Sequence, residues 1–347
     1  MIENQNPFFT VYHTPRHTVP FNLIRTEHYE PAIHEGIKMQ EEEINAIIQN
    51  PAFPTFDNTI VALEKSGALL NQVTTVFGNL LSAETSDELQ AIAERVMPLL
   101  SEHSNNISLN ESLFARIKAV YESAEKEQLN PEDKMLLEKT YDGFIRSGAN
   151  LSNEQKERFR QISSELSVLT LQFSQNHLKE TNHYELLLTL DQLDGIPESI
   201  IESYAQTAKE KGKEGYIVTL QAPSYIPFMK YSANRSLRQQ LYMAYNTQCI
   251  HDNEYNNTEI VKKLVNLRLE RAQLLGYSSV ADFVLKKRMA ENSLNVYNLL
   301  DQLLEAYGPT AQKEVEEVQN LAKQLEGADF QLMPWDWAYY SEKLKEQ

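Results

Sequence analysis

The chain carries 8 histidines, 49 aspartates and glutamates and 1 cysteine. Metal, acid–base or nucleophilic chemistry would have to be built from these side chains. The most specific signal for zinc hydrolysis is His-Glu-x-x-His, because that spacing sets both imidazoles on one helical face with the Glu beside the metal-bound water. No such segment is present. His34-Glu35 runs into Gly36-Ile37-Lys38, so the second imidazole is missing. His13 and His17 have the right separation, but Pro15 between them prevents a helix. His28 and His34 would not share a face. His103, His177 and His183 stand outside any His-Glu pair, and His251-Asp252-Asn253-Glu254 reads as loop and helix-start residues.

Other chemistries leave no stronger trace. There is no Gly-x-x-x-x-Gly-Lys-Ser/Thr phosphate loop, no Gly-x-Gly-x-x-Gly fingerprint and no Gly-x-Ser-x-Gly elbow. The carboxylate runs Glu41-Glu42-Glu43 and Glu316-Glu317 read as solvated helix faces. Cys249 reads as a small buried or half-buried thiol rather than a nucleophile. No catalytic, cofactor-binding or metal-ligating residue is assigned, and no cofactor is expected in this chain.

The elements that would position any site are helices. In 347 residues, 41% are hydrophobic and only 11 are glycine. That suits a sizeable core and a mainly α chain of long antiparallel helices with a very small β element. A net charge of −17 opposes a nucleic-acid or anionic-membrane partner. The lone cysteine excludes an internal disulfide framework and fits a reducing compartment. Met1 to Phe21 lacks an apolar signal-peptide core, and no run approaches the roughly 20 apolar residues of a membrane span. A cytoplasmic protein is expected, with removal of a signal segment left open.

Along the chain, Phe8, Phe9, Val11, Tyr12 and Phe21 are expected to pin a proline-broken arm onto the body. Helices are predicted near 29–49, 58–82, 152–181, 257–275 and 294–325. The second is expected to start at Asp57-Asn58. A Thr85-x-x-Glu88 capping box is expected to open a third, with a kink or break at Pro98. Shorter helices are predicted from Ser112 to Ala124, from Asn130-Pro131 to Ser147-Gly148, from Glu198 to Lys211 and from Val280 to Ala290. Strand is confined to 184–189 and 216–220. A kink is expected at Gly308-Pro309. Asn234 caps a helix with Leu237, Leu241, Ala244 and Tyr245 inward and Arg235 and Arg238 outside. In the helix that follows, Asn256 caps, Glu259 pairs with Lys263, and Val261, Leu264, Val265, Ala272 and Leu275 form the buried stripe. The chain is divided as 1–182, a helical region, 183–230, a small α/β insertion, and 231–347, a second helical region.

Several runs resemble the thimet-oligopeptidase family of zinc peptidases. They are Tyr231-Ser232, Asn234-Arg235, Leu237-Arg238, Tyr242 and Ala244-Tyr245; then Leu267-Arg268-x-Glu270-x-Ala272-x-Leu274-Leu275-Gly276-Tyr277; then Ala281 and Met289-Ala290; and last Pro334-Trp335-Asp336-Trp337-Ala338-Tyr339-Tyr340. Asn6-Pro7-Phe8-Phe9, Glu27-His28-Tyr29-x-Pro31-Ala32 and Gly148-Ala149-Asn150-Leu151-Ser152 point, within the family, to the bacterial peptidyl-dipeptidases. The resemblance implies two helical halves flanking a deep channel for short peptides, and a zinc ion held by a His-Glu-x-x-His helix plus a later Glu. In the family that helix lies downstream of the segment matched by Pro334 to Tyr340. The chain is therefore expected to be the N-terminal half of such an enzyme, lacking the zinc site, inactive alone, and partnered by the missing C-terminal half. The alternatives are an inactive helical peptide-binding or scaffold protein, or an endo-acting member of the same family. Arg235, Arg238 and Arg268 could meet a peptide carboxylate, though pairing with Asp or Glu is favoured in so acidic a chain. Trp335, Trp337, Tyr339 and Tyr340 could line the channel, though packing is favoured. If a partner half is missing, those four rings are where exposed apolar area is expected.

Overall fold

Short polar side chains at the helix starts set most of the architecture. The computed structural model describes residues 6–346; Met1 to Gln5 and Gln347 lie outside the described residues. The chain is mainly helical and packs as two units, Met1–Gln172 with Leu264–Val280, and Phe173–Lys263 with Ala281–Gln347. No helix among the described residues is long and apolar enough to cross a membrane.

In the first unit the arm is pinned by Phe8 and Tyr12, which are buried, whereas Phe9, Val11 and Phe21 are exposed. α1 (Tyr29–Gln49) has Pro31 in its first turn and buries Ala32, Ile33, Ile44 and Ile47. Its Gly36 is there for closeness. A Cβ at that position would lie 2.9 Å from the Leu70 Cα of the helix packed against it.

The single helix expected over 58–82 is instead interrupted. A π turn, Phe56–Val61, leads into α2 (Ala62–Lys65), and α3 (Ala68–Ala83) starts afresh. Two local causes are visible. Thr55, not Asp57-Asn58, opens the segment: its hydroxyl accepts from the Asn58 N–H while Asn58 accepts from the Thr55 N–H. Ser66-Gly67 then ends it, with Gly67 at φ +71 and its N–H donated to Glu43 at 2.7 Å.

α4 (Asp87–Ser108) is capped by Ser86, whose hydroxyl accepts from Leu89, one residue later than the expected Thr85 box. It runs through Pro98 without a break. A proline removes only one ladder bond, and here Leu89, Ile92, Ala93 and Val96 hold the helix on the core. α5 (Glu111–Glu122) and α6 (Pro131–Arg146) follow, α6 capped by Asn130. α7 (Asn153–His183) opens with the expected Ser152/Gln155 exchange of hydrogen bonds. A second apolar cluster of this unit joins Ile44, Ile47, Phe56, Ile60, Leu113, Ile117, Val120 and Leu137.

In the second unit β1 (Leu186–Leu188) pairs antiparallel with β2 (Tyr216–Val218), Leu187 opposite Ile217. α8 (Glu198–Glu210) lies between them in sequence, and its Tyr204 is buried, donating its hydroxyl to the Ser224 carbonyl at 2.9 Å. Lys211 and Lys213 both grip Glu185 beside β1, and those hydrogen bonds hold its carboxyl down at about 2. α9 (Ala222–Tyr231) and α10 (Arg235–Asn246) complete the small core with Phe228, Met229 and Leu241.

α11 (Thr258–Leu274) buries Ile260, Leu264, Leu267 and Ala272. Val261 and Val265 are exposed, so the buried stripe is turned from the one expected. Asn256 still accepts from Thr258, but Glu259 pairs with Lys262 at 2.7 Å rather than with Lys263. α12 (Val280–Leu285) is short. α13 (Ser293–Glu326) is 34 residues long and passes through Gly308-Pro309 without interruption. α14 (Trp337–Lys345) ends the described chain.

Gly195 tests the packing of the second unit. It has φ +83, and a Cβ there would lie 2.4 Å from the Tyr231 carbonyl oxygen. Gly212 shares the left-handed conformation, φ +67, but has open space around it. Gly212→Ala is expected to cost only backbone strain, about 1 kcal/mol, at the low end for such residues. Gly195→Ala must also displace backbone and is expected to cost at least about twice as much. Urea unfolding of the two variants checks this, and equal losses would contradict it.

Candidate functional site

The histidines are dispersed, each in a local role. His17 Nδ1 lies 2.8 Å from the Tyr12 carbonyl, and His28 Nδ1 accepts the Arg25 N–H at 3.0 Å. His183 lies tilted beside Tyr255, 6.1 Å between ring centres, and His251 Nε2 is 3.2 Å from the Thr247 hydroxyl. His34 and His177 are exposed. His103 is the buried one. Its Nε2 meets Gln40 Oε1 at 2.8 Å and its Nδ1 faces Glu41 at 3.7 Å. Burial lowers its pKa, against the opposing pull of Glu41. Among the described residues no group of three or more His, Cys, Asp or Glu gathers where a metal ion could be held.

Cys249 is buried, at φ +60, with its backbone N–H donated to Glu180. Burial, and then the neighbouring Glu180 carboxylate, push its thiol up to about 12. A thiol so rarely ionised is a poor nucleophile.

His103 and Gln40 line an open groove of the first unit, about 1100 Å³ in volume, together with Gly67, Phe144, Lys65 and Lys139. Neither lysine has an ion-pair partner among the described residues. The groove offers an apolar floor and two free cations, and it is large enough for a short peptide.

The arginines singled out by the sequence divide. Arg235 and Arg238 converge on Asp336, which is 0% exposed. Arg235 binds it through Nε, at 3.1 Å to both oxygens, and through Nη2 at 2.7 Å. Arg238, 1% exposed, gives Nη2 at 2.8 Å to the other oxygen and Nη1 at 2.7 Å to the Ser232 carbonyl. The Met333 N–H adds a fourth donor to the carboxylate at 3.0 Å. The expectation that these arginines would pair with an acid is met. The expectation that Arg238 faces outward is not, because Asp336 and the Ser232 carbonyl supply the partners that let a guanidinium be buried. Arg268 stays exposed and has no ion-pair partner among the described residues.

Arg238 lies 4.2 Å from the Tyr339 ring centre and Arg235 lies 4.3 Å from that of Phe330. Tyr339 and Tyr340 are therefore buried packing residues, as is Trp335 in part, edge-on to Tyr242. Of the four aromatics only Trp337 is exposed, at 40%. The expected concentration of exposed apolar area at these four rings is not found. It lies instead in the first half of α13, where Leu294, Tyr297, Leu300, Leu304 and Tyr307 face solvent. Leu300, Leu304 and Tyr307, at three- and four-residue spacing, carry the sequence signal for this.

Comparison with known proteins fits this geometry. Residues 228–347 match the model of peptidase family M3. The chain is 34% identical over 346 residues to Oligopeptidase A of Haemophilus influenzae, covering 98% of this chain and 50% of that protein. It is 33% identical over 344 residues to Dipeptidyl carboxypeptidase of Escherichia coli, covering 99% and 50%. Oligopeptidase A of Escherichia coli is 32% identical over 346 residues, again 50% of its length. The chain thus spans about half the length of these relatives.

Asp336 gives the prediction of this section. Burial alone would raise its pKa, but the hydrogen bonds from Arg235, Arg238 and Met333 outweigh that and hold it below the usual carboxylate value. A depressed folded pKa means stability that is complete above the unfolded value, about 3.9, and is lost as pH falls through the folded one. Asp336→Ala strands a buried guanidinium and is expected to cost about 3–5 kcal/mol. In Asp336→Asn the fall of unfolding free energy below about pH 4 should be shallower than in the parent chain, since one depressed carboxyl is gone. Urea titrations at several pH values measure both effects.

Proposed function

The chain is a relative of the M3 peptidases along nearly its whole length, and from that premise we propose that it is the N-terminal half of an oligopeptidase. In this reading it forms one helical wall of the channel in which a short peptide lies. The supporting observation is the alignment itself, which runs through 98% or more of this chain but only 50% of each of those relatives. The resemblance implies zinc, and the residues present do not fit a zinc site: no three ligands converge among the described residues. We therefore assign the metal chemistry to the other half of a family-length polypeptide and derive no step through it here.

What this chain's own side chains supply is binding. The groove of the first unit has the size for an extended peptide, and Lys65 and Lys139 can neutralise its carboxylates. The narrower reading is release of C-terminal dipeptides, supported by the likeness to a protein named Dipeptidyl carboxypeptidase. Internal cleavage is supported to the same degree by the likeness to proteins named Oligopeptidase A. A catalytically silent binding or scaffold protein is the second reading, and the exposed apolar stretch of α13 is the observation in its favour.

Two proteins compared side by side test the proposal: residues 1–347, and the same chain continued through its reading frame to family length. Each is assayed on blocked oligopeptides with zinc and with chelator, and products are identified by mass. The shorter protein is expected to hydrolyse nothing, and the longer one to release short peptides in a chelator-sensitive way. Chelator-sensitive hydrolysis by the purified 1–347 protein would overturn the assignment of the metal chemistry. Binding without hydrolysis by both would favour the scaffold reading.

A further inference from the structure

α13 carries one apolar stripe along its whole length. Leu300, Leu303, Leu304 and Tyr307 fall on the same helical face as Val318, Leu321 and Ala322, through Ala311, at three- and four-residue steps. The two ends of that stripe have opposite fates. Val318 and Ala322 are 3% and 0% exposed, under Tyr339 and Tyr340 of α14 and the neighbouring Phe330 and Leu332. Leu304 and Tyr307 are 72% and 65% exposed. The bare part is nonetheless a finished helix, since the Asn292 side chain accepts from the Asn295 N–H at 3.0 Å. It extends about 20 Å at roughly 1.5 Å per residue. A patch this long and apolar on a helix surface marks an interface rather than scattered surface leucines.

We propose that the Leu294–Tyr307 face of α13 is the seat of the remaining half of the family-length polypeptide, an inference that rests on the preceding reading. Two observations favour this occupant over a second copy. The relatives carry about as much chain again outside the aligned region. And α13 lies inside the segment matched by the M3 family model, so the helix is part of the matched module rather than an addition to it. The flanks of the stripe carry Asp301 and Glu305. The segment that covers it should therefore present apolar side chains in the centre and cationic ones at its edge.

Site-specific thiol labelling separates the possibilities. Leu300→Cys and, on the polar face, Gln302→Cys are each placed in residues 1–347 and in the family-length protein, with Cys249 buried in both. In residues 1–347 both sites should react with a maleimide at similar rates. In the family-length protein the rate at position 300 should fall by about tenfold or more, because a covered site reacts only through local opening. The rate at position 302 should change little. Equal reactivity of position 300 in the two proteins overturns the proposal. So does protection of position 300 in residues 1–347 that grows with protein concentration, which would assign the face to a second copy. Chelator-sensitive hydrolysis is measured separately on the unlabelled family-length protein. Protection without hydrolysis therefore leaves this interface standing while the peptidase reading fails.

Discussion

The second unit is held at its C-terminal end by one buried carboxylate shared between two guanidinium groups. Asp336 accepts from Arg235, Arg238 and the Met333 N–H, and no water reaches it. Both arginines stand on the first turns of α10, so the node ties the segment before α14 to α10. Charges taken out of water repay their desolvation only when nearly every hydrogen-bonding position is filled, and here the filling is dense. Aromatic rings then close over the cations, Phe330 over Arg235 and Tyr339 over Arg238. With the segment fixed in this way, Tyr339 and Tyr340 of α14 can lie only on the far end of α13, over Val318 and Ala322. The bare stretch of α13 is the other side of the same constraint.

That geometry bears on how a peptide terminus could be recognised. Arg235 and Arg238 are the sort of paired cations that would suit a free carboxylate, but Asp336 already occupies both. Releasing either would leave the other facing a half-satisfied buried acid. Among the described residues Arg268 has no such partner, and neither have Lys65 and Lys139 in the groove of the first unit. Cations of this second kind are solvated and cost little to redirect toward an anion.

The sequence was most legible where one residue decides a local geometry. Ser152 with Gln155, Asn130 and Asn234 each open their helix as their side-chain chemistry predicts. α1 and α13 end within a residue or so of where the apolar pattern stops, and β1 and β2 pair within the segments expected. It was less legible where a tertiary partner decides. Ser66-Gly67 is a turn signal, yet the apolar period runs across it, and only the Glu43 carboxylate waiting for the Gly67 N–H fixes the break. Arg238 looked like a surface residue because its acid lies almost a hundred positions further on. The face of α11 turned because four partly redundant apolar positions, Ile260, Val261, Leu264 and Val265, allow two stripes, and neighbours choose between them. For the candidate site, the dispersal of the histidines could be read from spacing alone. The groove could not, since Gln40, Gly67, His103 and Lys139 meet only in the packed unit.

Chemistry and burial thus point the same way in this molecule. Covering an apolar stripe stabilises a long helix, and one end of α13 shows what covering it looks like: two tyrosines, held in place by a carboxylate with a full set of donors. Nothing else among the described residues competes for the other end, where the exposed leucines and tyrosines lie. Reactive groups follow a parallel rule. Cys249 is kept protonated by burial and by Glu180, which leaves it a poor nucleophile. The paired arginines are thus committed to an internal acid, while a capped apolar helix face of the same unit stays bare.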